Sequence, residues 1–123
     1  MRGNPVRWFE IYVDDIERAK AFYETVFDVK LDRLGAEGIE MWQFPADMDR
    51  HGTSGTLARV DGMPAGGNST VVYFQCEDCA VEESRVAAAG GTVVRPKMSI
   101  GEYGFVTLAQ DTEGNLIGIH SLR

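Results

Sequence analysis

The sequence has no apolar run approaching the roughly 20 residues that a membrane-spanning helix requires. Basic residues are also scarce, with 12 Lys and Arg against 19 Asp and Glu and a formal net charge of −7. A negative surface repels phosphate backbones, so we expect no nucleic-acid partner. The first residues contain no apolar stretch followed by a cleavage site, which predicts a cytoplasmic protein with no membrane association.

Cysteine and histidine are rare, with 2 of each. Cys76 and Cys79 have the spacing C-x-x-C, but no second pair of ligands accompanies them, and His51 and His120 are isolated in the sequence. A zinc site of this type would need that second pair. A redox thiol normally lies at a helix N-terminus. Cys79 is near a predicted helix start, but Cys76 ends a predicted strand. We therefore expect both cysteines to be reduced and structural, and His51 to be an exposed surface residue.

The overall composition is that of an ordinary globular domain, with 44% hydrophobic and 25% charged residues in a chain of 123. A chain of this length can bury a core without disulfides or a structural metal. We therefore treat residues 1–123 as one domain.

The first half of the chain is predicted to form a strand, a helix and three more strands. The run 6–13 (VRWFEIYV) is rich in β-branched and aromatic residues, as strands are. Asp14 and Asp15 offer an N-cap for the helix, and Glu17 suits the positive end of its dipole. Apolar residues recur on one helical face, at Ile16, Ala19, Tyr23, Val26 and Phe27. Strands are then predicted at 30–34, 41–44 and 55–60.

The second half repeats this plan. The run 69–76 (STVVYFQC) predicts a strand, Asp78 a second N-cap, and Gly90-Gly91 the end of a shorter helix. The inward stripe of that helix is predicted to be Ala80, Val81, Ser84, Ala87 and Ala88. Three strands follow, at 92–96, 105–109 and 116–122, with a tight turn at 111–115 (DTEGN) between the last two.

Asp15 matches Asp78 when the two halves are aligned. The chain is therefore predicted to be an α+β fold of two βαβββ units, about 6–60 and 69–122, joined by the Gly/Pro-rich linker 61–68 (DGMPAGGN). Each unit would form one curved mixed sheet with a helix on its outer face. Two such sheets side by side would leave a cup in which a ligand can bind.

Several stretches resemble the vicinal oxygen chelate superfamily, which includes glyoxalase I, extradiol dioxygenases and bleomycin-resistance proteins. Segment 15–24 (DIERAKAFYE) is similar to its D-x-x-R-A-x-x-F-Y first helix, 88–91 (AAGG) to the end of its second helix, and 111–115 to its D-P-x-G-N turn. Asp28 departs from the family's glycine, although Asp can adopt a left-handed helix end. The resemblance runs from Val6 to Ser121. It implies paired βαβββ units and a homodimer in which a second chain covers the open sheets.

The resemblance also implies where a metal would be bound. Metal-dependent members hold a divalent ion with His and Glu side chains from the first and last strands of each unit. Those positions fall near Trp8, Ala58, Val71 and Gly118, the second fixed only to within a residue or two. None of these side chains can ligate a metal, so we expect no metal centre of the glyoxalase type and no cofactor.

Strand alternation indicates which residues face the cup if Trp8 and Gly118 point inward. The expected lining is Trp8, Glu10, Tyr12, Tyr73, Gln75 and His120, with Trp42 as a further candidate of undetermined facing. The segment 96–105 (PKMSIGEYGF) carries a second polar cluster, formed by Lys97, Ser99 and Glu102. This segment is either a lid over the cup or a solvated hairpin.

Glu10 and His120 are the candidate catalytic residues. We expect them on one inner face, close enough to interact directly or through one water. Such a pair can transfer a proton or hold a polar ligand, or the two groups can simply hydrogen-bond each other.

Three functions are compatible with these residues. The preferred one is a metal-free protein that binds an apolar or cationic small molecule, for which bleomycin-resistance proteins are the precedent. The second is a lyase or isomerase with Glu10 or His120 as acid–base, and a dioxygenase is not expected. The third is a metal enzyme with ligands relocated to Glu10, His120 and a carboxylate such as Glu40. The sequence leaves open whether the cup closes within one chain or by exchange of units between chains.

Overall fold

The computed structural model describes residues 3–36 and 38–123. The first half contains β1 (Trp8–Tyr12), α1 (Ile16–Phe27), β2 (Asp32–Ala36), β3 (Ile39–Gln43) and β4 (Ser54–Arg59). The second half contains β5 (Val72–Gln75), α2 (Cys79–Val86), β6 (Thr92–Ser99), a 3₁₀ helix at Gly101–Tyr103, β7 (Phe105–Gln110) and β8 (Leu116–Ser121). The predicted order of elements is confirmed, although β6 extends three residues beyond its predicted end.

Each half forms its own four-stranded mixed sheet. The strand order is β1-β4-β3-β2 in the first sheet and β5-β8-β7-β6 in the second. In each sheet the first and last strands of the unit pair in parallel, and the other neighbours pair antiparallel. The α+β class and the two βαβββ units predicted from the sequence are therefore confirmed. Neither helix in the described part of the chain is long and apolar enough to cross a membrane.

Helix α1 begins and ends where its capping residues predict. Asp15 has an extended backbone, and its carboxylate accepts a hydrogen bond from the Arg18 amide at 3.0 Å. Asp28 ends the helix in the left-handed conformation, with φ 51° and ψ 51°. The buried face carries Ile16, Ala19, Phe22, Tyr23 and Val26. The predicted stripe is thus confirmed apart from Phe22, which joins it, and Phe27, which is half-buried.

The predicted inward stripe of α2 is wrong. Ala80, Val81, Ser84, Ala87 and Ala88 are all exposed. The buried residues are Cys79 and Val86, and Glu83 between them accepts hydrogen bonds from the Lys97 amide at 2.6 Å and the Thr107 hydroxyl at 2.8 Å. Alanine and serine gain little from burial, so the contacts of these larger groups fix the rotation of the helix.

One core joins the two halves. It contains residues of both helices and both sheets, among them Ile11, Tyr23, Leu57, Val86 and Ile117. Aromatic rings meet at its centre, where Tyr23 lies 5.4 Å from Phe44 and 5.8 Å from Phe74, measured between ring centroids. Both sheets therefore turn one face, the covered face, toward the helices and this core, and each leaves its opposite face, the open face, outside the core.

The turn at 111–115 connects the second unit to the start of α1. The Glu113 side chain is fully buried and accepts hydrogen bonds from the Asp14 amide (3.1 Å), the Asp15 amide (2.9 Å) and the Thr112 hydroxyl (2.9 Å). It also forms a bidentate ion pair with Arg18, with distances of 2.6 and 2.9 Å. Burial alone would raise the pKa of Glu113, but the Arg18 guanidinium and the other donors outweigh it and lower the pKa to about 2.

Candidate functional site

The open face of the second sheet carries a depression of about 470 Å³, which we call the second-sheet pocket. Its lining residues are Tyr73, Gln75, Met98, Ile100, Val106, Leu108 and His120. The strand register explains the grouping, because Tyr73 and Leu108 both lie opposite Gly118, and Gln75 and Val106 both lie opposite His120. Residues paired in this way share one face of a sheet. The pocket therefore has apolar walls with a few polar groups.

Tyr73 packs directly over Gly118. A Cβ atom built on Gly118 would overlap the Tyr73 ring at Cδ1, Cε1 and Cγ, so only glycine leaves the ring in this position. The tyrosine is still 53% exposed. The ring thus covers one of the positions at which the resemblance implies a metal ligand.

His120 is held by its backbone and by one ring nitrogen. Its carbonyl accepts a hydrogen bond from the Cys76 amide at 2.9 Å, and its Nε2 lies 2.7 Å from the carbonyl oxygen of Tyr103. A carbonyl oxygen can only accept, so Nε2 carries the proton and the neutral ring has Nδ1 as an acceptor. Within the described chain, Nδ1 of His120, the Gln75 amide and the Tyr73 hydroxyl have no hydrogen-bond partner.

Glu10 lies on the open face of the first sheet. Along β1, Trp8 and Glu10 are exposed, whereas Phe9 and Ile11 pack in the core. The Glu10 carboxylate accepts a hydrogen bond from the Tyr12 hydroxyl at 3.1 Å, and this bond raises the pKa of Tyr12. Glu10 and Tyr12 line a crevice of about 240 Å³ between β1 and the strands β5 and β8.

The structure does not bring Glu10 and His120 into contact. Each lies on an open face, but they line different depressions. Among the residues that the structure describes, no hydrogen bond or ion pair joins them, and their observed partners are Tyr12 and the Tyr103 carbonyl.

Three other candidates lie outside the second-sheet pocket. Trp42 packs against the core on the covered face, with Lys20 Nζ 4.0 Å from its ring centroid. Lys97 belongs to β6 rather than to a loop, and its Nζ bonds to the Asp78 cap of α2 at 2.8 Å. Glu102 is exposed in the 3₁₀ helix and does not line the pocket.

Four pocket residues are absent from the sequence prediction: Met98, Ile100, Val106 and Leu108. Counting back across the tight turn 111–115 would have placed Val106 opposite His120 and Leu108 opposite Gly118, as the register has them. Met98 could not be found by counting, because β6 contains register shifts between Val93 and Met98.

The cysteines have structural surroundings. Cys79 is fully buried, and its amide donates to the Ser121 hydroxyl at 3.0 Å. Burial, followed by the nearby Glu82 carboxylate, raises the pKa of the Cys76 thiol to about 12. A thiol of this kind is mostly protonated at neutral pH and therefore a poor nucleophile. His51 is exposed, as predicted.

The residues at the metal-ligand positions do not fit a metal. Trp8, Ala58, Val71 and Gly118 offer no side-chain donor, and the Tyr73 ring covers the last of them. In the parts of the chain that the structure describes, no three His, Cys, Asp or Glu residues converge as a metal site would require.

Comparison with known proteins agrees with this fold. The family model of the Glyoxalase/Bleomycin resistance protein/Dioxygenase superfamily matches residues 6–119. A search of curated proteins found no significant match. TnmS3, an antibiotic-binding protein from Streptomyces sp. CB03234, is similar in structure with a TM-score of 0.70 and 24% identity over 98% of each chain. A glyoxylase/bleomycin resistance protein/dioxygenase domain from Frankia sp. EAN1pec gives a TM-score of 0.74 and 18% identity, over 99% of this chain and 100% of that one.

Glyoxalase I from Zea mays is similar with a TM-score of 0.74 and 18% identity, over 96% of this chain but only 46% of that one. At these identities the solved structures support the fold alone. The family-model match covers most of the sequence, and the two βαβββ units agree with it. The chain belongs to the Glyoxalase/Bleomycin resistance protein/Dioxygenase superfamily.

Proposed function

We propose that this protein binds a small apolar or cationic molecule in the second-sheet pocket and does so without a metal. The observation that carries the proposal is the pocket itself, whose walls are apolar and whose Tyr73 ring covers Gly118. A concave apolar surface with a few polar groups is the usual form of a small-molecule site. The formal charge of −7 disfavours anionic ligands.

Binding explains the arrangement better than acid–base catalysis within one chain. Proton transfer needs an acid or base within hydrogen-bond reach of the reacting group. Glu10 and His120 line separate depressions, so within one chain they do not form an acid–base pair around one bound molecule. The similarity to an antibiotic-binding protein is in keeping with a binding role.

We also propose a homodimer in which the open sheet faces of two chains come together around the second-sheet pocket and leave it accessible to a ligand. Trp8 is 41% exposed on the first sheet and Tyr73 53% exposed on the second, so both open faces present aromatic surface to solvent. A lyase or isomerase is the second candidate, with Glu10 or His120 as acid–base, and in such a dimer the two groups could also come together from different chains. Sedimentation at micromolar concentration tests the dimer, and a clean monomer would contradict it.

Binding in the second-sheet pocket can be tested by filling it. Leu108→Trp places a large ring in the pocket, and Val94→Trp is the matched control at a 56% exposed position outside it. Small molecules that raise the melting temperature of the native protein should lose this effect in Leu108→Trp and keep it in Val94→Trp, since ligands stabilise only the state they bind. Equal ligand-induced shifts in both variants would argue against this site.

Metal independence is tested separately. Protein incubated with Zn²⁺, Ni²⁺, Mn²⁺ or Fe²⁺ and then desalted should retain much less than one ion per chain, and a chelator should leave its melting temperature unchanged. A stoichiometric ion would overturn the metal-free proposal without affecting the location of the pocket.

A further inference from the structure

The Tyr73–Gly118 contact suggests which ligands the second-sheet pocket selects. Glycine is the only residue type at position 118 that leaves the Tyr73 ring in place, because even a Cβ atom there would overlap three ring atoms. Tyr73 as a residue remains 53% exposed and lies among the lining residues of the pocket. The ring therefore offers a π surface on which a second ring can pack.

The walls beside Tyr73 suit a flat hydrophobic group. Val106 and Leu108 come from the central part of the sheet, and Met98 and Ile100 from the edge strand and the residue that follows it. Methionine thioethers make favourable contacts with aromatic rings and adapt to their shape. The Met98 sulfur accepts a hydrogen bond from Arg95 at 3.3 Å. The rest of the surface that these four side chains provide is hydrocarbon, so the apolar part of the ligand must contact them.

The pocket contains two hydrogen-bond acceptors that a donor on the ligand can satisfy. Nε2 of His120 donates to the Tyr103 carbonyl at 2.7 Å, and in the tautomer that carries its proton on Nε2 the other nitrogen, Nδ1, is an acceptor. The Gln75 carbonyl oxygen is a second acceptor without a partner among the residues described. A ligand O–H or N–H group can satisfy either one.

We infer that the ligand is a flat aromatic molecule with at least one hydrogen-bond donor, that it packs on the Tyr73 ring, and that Gly118 is a specificity-determining residue because it keeps that ring in place. This inference rests on the proposed function, since it names the ligand class of the same pocket. Saturated or strongly puckered molecules of equal size would pack less well on the Tyr73 ring.

Three two-ring probes separate the elements of the inference. 2-Naphthol is flat and has a donor, 2-methoxynaphthalene is flat without a donor, and trans-2-decalol has a donor but a saturated, puckered frame. Titrations of ¹⁵N-labelled protein followed by NMR give each dissociation constant and show which residues respond. We expect 2-naphthol to bind about 2- to 12-fold more tightly than the decalol, the range of an added aromatic pair. We expect a loss of about 2- to 12-fold for the methoxy compound, the range of one hydrogen bond.

Substitutions at the contact give the second readout. Tyr73→Leu should weaken 2-naphthol binding by about the same 2- to 12-fold and leave decalol binding unchanged. Gly118→Ala should act in the same direction by displacing the ring, whereas Tyr73→Phe should retain the preference for the flat probe. Val94→Leu is the control, because Val94 is 56% exposed, does not line the pocket and holds none of its residues.

The possible results separate this inference from the proposed function. Equal affinity for 2-naphthol and the decalol, with shifts at pocket residues, would overturn the inference and leave the binding site in place. Equal weakening of both probes by Tyr73→Leu would do the same, and since Tyr73 is exposed the variant is expected to fold. If none of the probes shifts the pocket residues, both the inference and the proposed pocket are wrong.

Discussion

Glu113→Gln is expected to lower the free energy of unfolding by about 3 kcal/mol at pH 7. The carboxylate is fully buried, and its pKa lies near 2 rather than the ordinary 4.5. At about 1.36 kcal/mol per pKa unit, this difference corresponds to about 3 kcal/mol of stabilisation of the charged form. Arg18 is 53% exposed and can turn to water in the variant, so we expect the low end of the roughly 3–5 kcal/mol seen when buried ion pairs are broken.

The pH dependence of this effect has a definite sign. Because the pKa is lower in the folded protein, the ion pair stabilises the fold above the unfolded pKa of about 4.5 and loses its effect as the pH falls through 2. By integration, roughly 60% of the stabilisation should be gone at pH 3. The difference between wild type and Glu113→Gln should therefore shrink by about 60% between pH 7 and pH 3.

Urea unfolding at both pH values measures this difference, and the subtraction removes the titration of the other carboxyl groups. Glu102→Gln is the matched control, since Glu102 is exposed and has no ion pair or hydrogen bond within the described structure. It should change stability by less than about 0.5 kcal/mol at either pH. The reasoning is refuted if Glu113→Gln is as mild as the control, or if its effect is the same at pH 7 and pH 3.

Three further predictions concern single residues. Tyr23→Phe removes the hydroxyl that donates to Asp111 at 2.7 Å in the core, and urea unfolding should show a loss of about 1–3 kcal/mol, whereas unchanged stability would mean that the bond contributes nothing net. The backbone at Asp28 is left-handed with φ 51°, so Asp28→Gly should raise the free energy of unfolding by up to about 1 kcal/mol and Asp28→Ala should lower it. An alanine variant more stable than the glycine variant would contradict this explanation. Both cysteines should react with a thiol-specific disulfide reagent at pH 7 far more slowly than a free thiol, because the pKa of Cys76 is about 12 and Cys79 is buried. Rapid reaction of the native protein would exclude the structural role.

The elements that the sequence predicts well are those in which several local signals agree. Helix α1 has a capping Asp15, an Asp28 suited to a left-handed helix end and apolar residues at helical spacing, so the sequence predicts its ends and most of its buried face, with Phe22 missed. Alternation along β1 was enough to separate Trp8 and Glu10 from Phe9 and Ile11, because a strand has only two faces.

The parts that could not be predicted depend on long-range contacts. The rotation of α2 is set by hydrogen bonds from Glu83 to Lys97 and Thr107, which no local pattern in its alanines reveals. Lys97 was misplaced for a related reason, since the irregular strand β6 extends past Pro96 and brings its side chain to the Asp78 cap. The direction in which the side chains of one strand point likewise does not tell how two sheets are arranged. The sequence therefore assigns Glu10 and His120 to open faces but does not predict the distance between them.

The position of Glu113 has a consequence for how the chain acquires its structure. Its bond to the Asp15 amide joins residues 98 positions apart, and its bonds to Arg18 join residues 95 apart. During synthesis, the amides at the start of α1 must wait for the last part of the chain before they find this partner. Contacts between distant residues close long loops and slow folding. We therefore expect the N-terminal unit to gain its final stability only late, in the same cooperative step that completes the C-terminal unit.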